Sequence, residues 1–147
     1  MGELNLPESS LVYLDTQIII YSVEKHPTYW SLLQPMWQHS ARSDIQLMSS
    51  ELALLETLVA PLKMDDVVLV KAYERLLLST EIQLMPITRA ILKEAAQMRF
   101  QTSFKTPDAI HAATAIAHSC SIFLTNDYGF RRVSNFPLVV LTDIVNG

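Results

Sequence analysis

The sequence predicts a layered α/β domain with a central, mostly parallel sheet. Short apolar runs of strand length recur along the chain, segments with helix-capping residues separate them, and no internal repeat, low-complexity tract or linker interrupts the alternation. Strands alternating with helices favour a parallel sheet, because parallel strands need crossover connections. The 147 residues suit one domain spanning 1–147, and half of them are hydrophobic against 18% charged. That balance supplies a core and excludes an intrinsically disordered chain.

Residues 11–14 (Leu-Val-Tyr-Leu) read as a buried parallel strand. Asp15 and Thr16 end it, and one of them caps a helix over 17–23. A second helix covers 29–41, kinked or broken by Pro35. Residues 45–48 form a second strand. Ser49 or Ser50 then caps a helix over about 51–60 that Pro61 closes. Asp65 and Asp66 open a helix over 67–79 with acids at its positive end. A strand over 82–87 follows, and Thr88 caps a helix to about residue 101. In Thr106-Pro107-Asp108, threonine is a good cap, proline suits the first helical position and aspartate the first turn. That helix runs through the alanine-rich stretch to 117. Strands over 121–124 and 138–141 complete the set, the first ending in Thr125-Asn126-Asp127.

Composition excludes several function classes. The chain has three glycines, Gly2, Gly129 and Gly147, too few and too scattered for a P-loop or a dinucleotide fingerprint. A net charge of −4 argues against a broad basic face that coats nucleic acid, though not against local contact with a phosphodiester through a metal ion. The single cysteine, Cys120, allows neither an internal disulfide nor a cysteine-rich zinc site. No basic leader precedes an apolar run at the N-terminus, and the apolar runs fall far short of the ~20 residues of a membrane helix. A cytoplasmic protein without membrane contact is the expectation.

The acids fall where chemistry is expected. Ligands of open parallel sheets bind beyond the carboxyl ends of the strands. Asp15 directly follows the first strand, Asp127 closely follows the strand over 121–124, and Asp108 stands on the first turn of the helix leading into it. Glu56 shares a helical face with Leu52 and Val59, and a carboxylate on an apolar stripe needs a partner. Taken one at a time, each acid has a simpler role. Asp15 can cap a helix, Asp108 complement a helix dipole, Asp127 open a turn before Gly129, and Glu56 pair with Arg89, Arg99 or another cation. Together they favour a metal site. An all-carboxylate set suits Mg²⁺ or Mn²⁺, whose natural reaction is phosphodiester hydrolysis.

Four segments resemble the motifs of PIN domains. Residues 11–21 (Leu-Val-Tyr-Leu-Asp-Thr-Gln-Ile-Ile-Ile-Tyr) are similar to the first, 50–56 (Ser-Glu-Leu-Ala-Leu-Leu-Glu) to the second, 106–115 (Thr-Pro-Asp-Ala-Ile-His-Ala-Ala-Thr-Ala) to the third and 124–131 (Leu-Thr-Asn-Asp-Tyr-Gly-Phe-Arg) to the fourth. In length and motif style the chain looks most like VapC-type toxins of VapBC toxin–antitoxin modules. The resemblance implies a three-layer α/β/α domain, Mg²⁺- or Mn²⁺-dependent endoribonuclease activity, homodimers and a small antitoxin. It implies Asp15, Glu56, Asp108 and Asp127 as the catalytic acids, with Asp15, Asp108 and Asp127 as metal ligands. Glu56 is ligand or general base. Thr125, like Thr16, stands as a hydroxyl near the acids or their waters. Gln17 departs from the asparagine common at its position.

Other features are weighed against these. An Asp-x-Asp phosphatase pair lacks its second acid at Gln17, and no Gly-x-Ser-x-Gly supports nucleophilic serine chemistry. His111 and His118 lie nearly on one helical face, and His111 reads as packing or as support behind the acids. Tyr29, Trp30 and Trp37 read as core packing, or as an interface anchor. Arg131 and Arg132 follow Asp127 and are candidates for RNA contact. The alternatives to a ribonuclease are a PIN-fold binding or scaffold protein without turnover and a DNA-directed metal nuclease.

Overall fold

The computed structural model describes residues 2–147. Its elements run β1 (Leu11–Leu14), α1 (Thr16–Val23), α2 (Trp30–Ala41), β2 (Gln46–Ser50), α3 (Leu52–Lys63), α4 (Val67–Leu77), β3 (Gln83–Met85), α5 (Arg89–Thr102), α6 (Thr106–Ala117), β4 (Ile122–Thr125), β5 (Leu138–Val140) and α7 (Leu141–Asn146), with a 3₁₀ turn over Tyr128–Arg132 between the last two strands. The five strands form one sheet in the order β3-β2-β1-β4-β5, and each neighbouring pair is parallel.

Alternation along the strands builds a core on each face of the sheet. Val12 and Leu14 of β1 join Leu47, Leu124 and the inner sides of α1, α2 and α4 in one apolar cluster. Tyr13, Met48 and Phe123 point the other way and pack with Ile91, Ala95 and Met98 of α5 and the alanines of α6. The result is the three-layer α/β/α arrangement. The alanine-rich face of α6 lets it lie close to both α5 and the sheet, and Ala109, Ala112 and Ala113 are completely buried.

Local chemistry sets most boundaries. Asp15 accepts a hydrogen bond from the Thr16 amide, Asp66 from Leu69 and Thr88 from Ile91, so each caps its helix as expected. With so few glycines, left-handed turn positions fall instead to Lys25, Ser43, Asp65, Ser103 and Ser119. Each carries roughly 1–2 kcal/mol of strain that glycine would avoid.

Four expectations are corrected. Pro61 does not close α3 but lies inside it, because its missing N–H forfeits one bond in the last turn, and its carbonyl accepts from Asp66 N at 2.9 Å. Thr106 is not the cap of α6. The helix starts on it, after Lys105, and its hydroxyl accepts from Arg99 instead. The buried residues of α3 are Ala53, Thr57 and Pro61, so the Leu52–Glu56–Val59 face is a flank, half-buried at Leu52 and Glu56 and exposed at Val59, rather than the core stripe. The last strand ends at Val140 and a short helix, α7, follows it.

Candidate functional site

Strand order turns the scattered acids into a group. The chain builds β2 and β3 to one side of β1, then crosses to place β4 on the other side. Leu14 of β1 pairs with Leu124 of β4, so the two strands end together at a topological switch point, where parallel sheets open a crevice. Asp15 leaves β1 there, and Asp127 stands two residues after the end of β4.

Asp15 is held from two directions. One carboxylate oxygen accepts from the Thr16 amide at 2.9 Å and the other from the Thr125 hydroxyl at 2.6 Å. The same Thr125 oxygen accepts from the Asp127 amide at 3.1 Å, so one buried hydroxyl joins the two acids. Burial pushes the Asp15 carboxyl up, against the opposing pull of nearby His111 and of the Thr125 and Thr16 hydrogen bonds. Asp127 accepts from Gly129 N at 2.8 Å. A Cβ at Gly129 would lie 3.0 Å from that carboxylate oxygen, so a larger residue here would press on the Asp127 side chain.

Glu56 reaches the group from α3. Its Oε1 accepts from the Thr16 hydroxyl at 2.8 Å and pairs with His111 Nε2 at 2.6 Å. The partner is therefore His111 with Thr16, and neither arginine weighed from the sequence. Arg99 donates to the Phe104 carbonyl and the Thr106 hydroxyl. Burial raises the Glu56 carboxyl, but its hydrogen bonds with His111 and Thr16 leave it below the usual carboxylate range. His111 lies 4.0 Å from Asp15 through Nε2, and its Nδ1 stands 2.7 Å from the Tyr13 hydroxyl.

Asp108 sits half-buried one turn before His111 on α6. Among the described residues no hydrogen bond to its carboxylate is found. Burial pushes it up, and the charges of Asp15 and Asp127 push it further. Glu56 adds to the rise at both Asp108 and Asp15, and no lysine or arginine forms an ion pair with any of the four acids among the described residues.

This donor set fits a hard divalent cation: oxygen ligands only, with mutual repulsion that a cation would relieve. Among the described residues no three His, Cys, Asp or Glu side chains are gathered as a ready-made cage. Three of the acids are engaged by protein partners, Asp15 by Thr16 and Thr125, Glu56 by His111 and Thr16, and Asp127 by its own turn. Mg²⁺ keeps several of its waters and is commonly held by one or two carboxylates, so a closed cage is not required.

The remaining candidates sit at the margin. Arg131 lies over the Tyr128 ring and pairs with Asp143 at 2.7 Å, and Arg132 donates to the Thr102 carbonyl. Both are exposed. Gln17 is exposed on α1 and takes no part in the network. Trp30 and Trp37 pack against the first core from outside, Trp37 donating to Ser22 at 2.9 Å. Sequence reading placed His111 behind the acids without finding its partner, and it missed Tyr13, hidden in an apolar strand. The available signal was a histidine one turn after Asp108 in a helix otherwise lined with alanine.

The PIN domain family model matches residues 12–135. A search of curated proteins finds no match. Among solved structures, the chain is similar to VapBC2 from Rickettsia felis bound to a DNA fragment from its promoter, with a TM-score of 0.69 and 20% identity over 88% of this chain and 98% of that one. It is similar to a toxin–antitoxin complex from Klebsiella pneumoniae, with a TM-score of 0.63 and 21% identity over 90% and 97%. It also resembles VapC20 of Mycobacterium tuberculosis, a toxin that cleaves the sarcin–ricin loop, with a TM-score of 0.64 and 16% identity over 76% and 86%. At these identities the likeness is one of fold.

Proposed function

The chain belongs to the PIN domain family, and from that premise we propose that it is a metal-dependent endoribonuclease, the toxin of a type II toxin–antitoxin module. The observation that carries this reading is the crevice at the β1–β4 switch point, where burial and the charges of Asp15 and Asp127 together raise Asp108. Acids that repel one another with no protein cation among them are suited to a bound cation and its phosphodiester substrate.

Asp15, Asp108 and Asp127 are the residues proposed to hold Mg²⁺ or Mn²⁺. When bound, such an ion neutralises charge on the phosphate and favours ionisation of an attacking water. Glu56 stands beside them with both of its hydrogen bonds on Oε1, and its other carboxylate oxygen is the one proposed to accept a proton from the attacking water. Thr125 and Thr16 orient Asp15 and Glu56 through their hydroxyls. Arg131 and Arg132 lie exposed just past Asp127 as the proposed RNA contacts, and the surface ion pair of Arg131 with Asp143 holds it only weakly.

An antitoxin as partner is supported by the similarity to toxin–antitoxin complexes. It also accords with the uncovered apolar residues Leu55, Leu62, Met64, Val67 and Val68 around the α3–α4 turn. A homodimer and a cytoplasmic location complete the proposal. No helix among the described residues is long and apolar enough to cross a membrane.

The test is RNA cleavage by the purified chain with Mg²⁺, Mn²⁺ or EDTA, alongside Asp15→Asn. Cleavage that needs metal and disappears in the variant supports the reading. Cleavage of DNA alone would move the substrate class, and a chain that neither binds Mn²⁺ nor cuts RNA would be a binding module.

A further inference from the structure

Glu56 receives both of its hydrogen bonds on one oxygen. Thr16 donates to Oε1 and His111 Nε2 approaches the same atom at 2.6 Å, while Oε2 carries no hydrogen bond among the described residues. The carboxylate is gripped on one side and presented on the other. His111 is 1% exposed, wedged edge-on to the Tyr13 ring at 5.8 Å between centroids. Tyr13 is itself stacked on Phe123 at 5.1 Å.

Hydrogen-bond bookkeeping fixes the proton on the ring. An ionised carboxylate can only accept, so Nε2 carries the hydrogen that faces Glu56. The Tyr13 phenol is buried in the second core and meets Nδ1 at 2.7 Å. A phenol keeps its proton at neutral pH. In the neutral ring Nδ1 is bare and accepts that O–H. The order is Tyr13 O–H to Nδ1, Nε2–H to Glu56.

We propose that His111, locked in its Nε2–H form by Tyr13, is a positioning residue that holds Glu56 by Oε1 so that Oε2 faces the reaction. This rests on the nuclease reading above. It assigns Tyr13 and His111 a task beyond packing, because the imidazole could fill its cavity in either tautomer but only one can grip the glutamate. Fixing a reacting group through a partner that is itself fixed is how supporting residues commonly act, and losing such a partner typically costs about 10- to 100-fold.

The experiment reads the tautomer directly, by ¹⁵N NMR of histidine-labelled, metal-free protein, with His111→Gln used to assign the signal among the four histidines. The expected spectrum has a protonated Nε2 and an unprotonated Nδ1 at His111, and in Tyr13→Phe a mixture of tautomers. A protonated Nδ1 in the parent overturns the proposal. Kinetics with Mn²⁺ and a mixed-sequence RNA oligonucleotide form the second arm. His111→Leu should lower kcat about 10- to 100-fold with KM little changed, and His111→Gln, which keeps a donor at similar reach, should restore kcat to within about threefold of the parent. A folded His111→Leu chain with full kcat, or a folded His111→Gln chain as impaired as leucine, overturns it. If the parent chain cuts no RNA, the ribonuclease reading fails while the tautomer still decides the Tyr13–His111–Glu56 pairing.

Discussion

On the inner side of the crevice, Asp15 takes a hydrogen bond from Thr125, 110 residues away, and Glu56 takes its two from partners 40 and 55 residues away. On the outer side, Asp127 is held by an amide two residues on, and no hydrogen bond to Asp108 is found among the described residues. The inner acids exist as a pair only when β1, α3, α6 and β4 are assembled. The outer acids keep their places by local turn and helix geometry, which leaves them free to adjust to whatever enters. A rigid inner wall and an adaptable outer one suit a site that must hold one acid still while others meet a cation and substrate of varying position.

The hardest test of this contrast is Asp15→Asn. It should lower RNA cleavage at least about 100-fold while raising the melting temperature of the metal-free protein by about 2–4 °C per kcal/mol of relieved burial, as asparagine keeps an acceptor for the Thr16 amide and can donate its own amide to the Thr125 oxygen. Thermal unfolding with and without Mn²⁺ checks the opposite signs. Loss of stability would mean that the charge of Asp15 is compensated within the fold.

Thr125→Val strikes the hydroxyl joining the two sides. It leaves a buried carboxylate oxygen and the Asp127 amide without partners, and should destabilise the fold by about 1–3 kcal/mol in a denaturant titration. A change near zero would show that the two sides are not joined through this atom.

The pH profile separates the sides more gently. Asp15 and Asp108 have folded pKa values raised above the unfolded ones. Their contribution is therefore complete below about pH 4 and lost as pH rises through the raised folded values. Glu56 is lowered, and its contribution is present above its unfolded pKa and lost as pH falls through the depressed one. Melting curves against pH should thus decline above pH 4 in the parent and decline less in Asp15→Asn.

The smallest effect belongs to the outermost groups. Arg131→Ala with Arg132→Ala should shift the melting temperature by no more than about 2 °C. RNA binding should weaken by no more than about fivefold, and less at high salt. A larger loss measured by fluorescence anisotropy would make these arginines principal substrate contacts.

Much of the architecture was legible beforehand because it is local. The caps at Asp15, Asp66 and Thr88 declare themselves through residue type, and strands β1 and β4 through apolar runs bounded by polar residues. The errors have physical sources too. Pro61 and Thr106 follow statistical habits that a last helical turn and a neighbouring arginine override. The short helix after β5 lacks a cap signal altogether. At the site, the acid types and their places after the strands are readable, whereas the sequence offers Glu56 only a cation or a shared metal as partner, because charge is visible in a sequence and proximity is not.

By itself the sequence determined the alternation of strands and helices, the oxygen-rich and glycine-poor chemistry, and four carboxylates in positions that resemble PIN motifs. The tertiary structure alone decided that β4 lies beside β1, that one threonine hydroxyl joins Asp15 to the Asp127 turn, and that a tyrosine and a histidine grip Glu56. Capping and periodicity act over a few residues and leave their mark in composition. Contacts between residues 40 to 110 positions apart form only when strand order and burial bring them together.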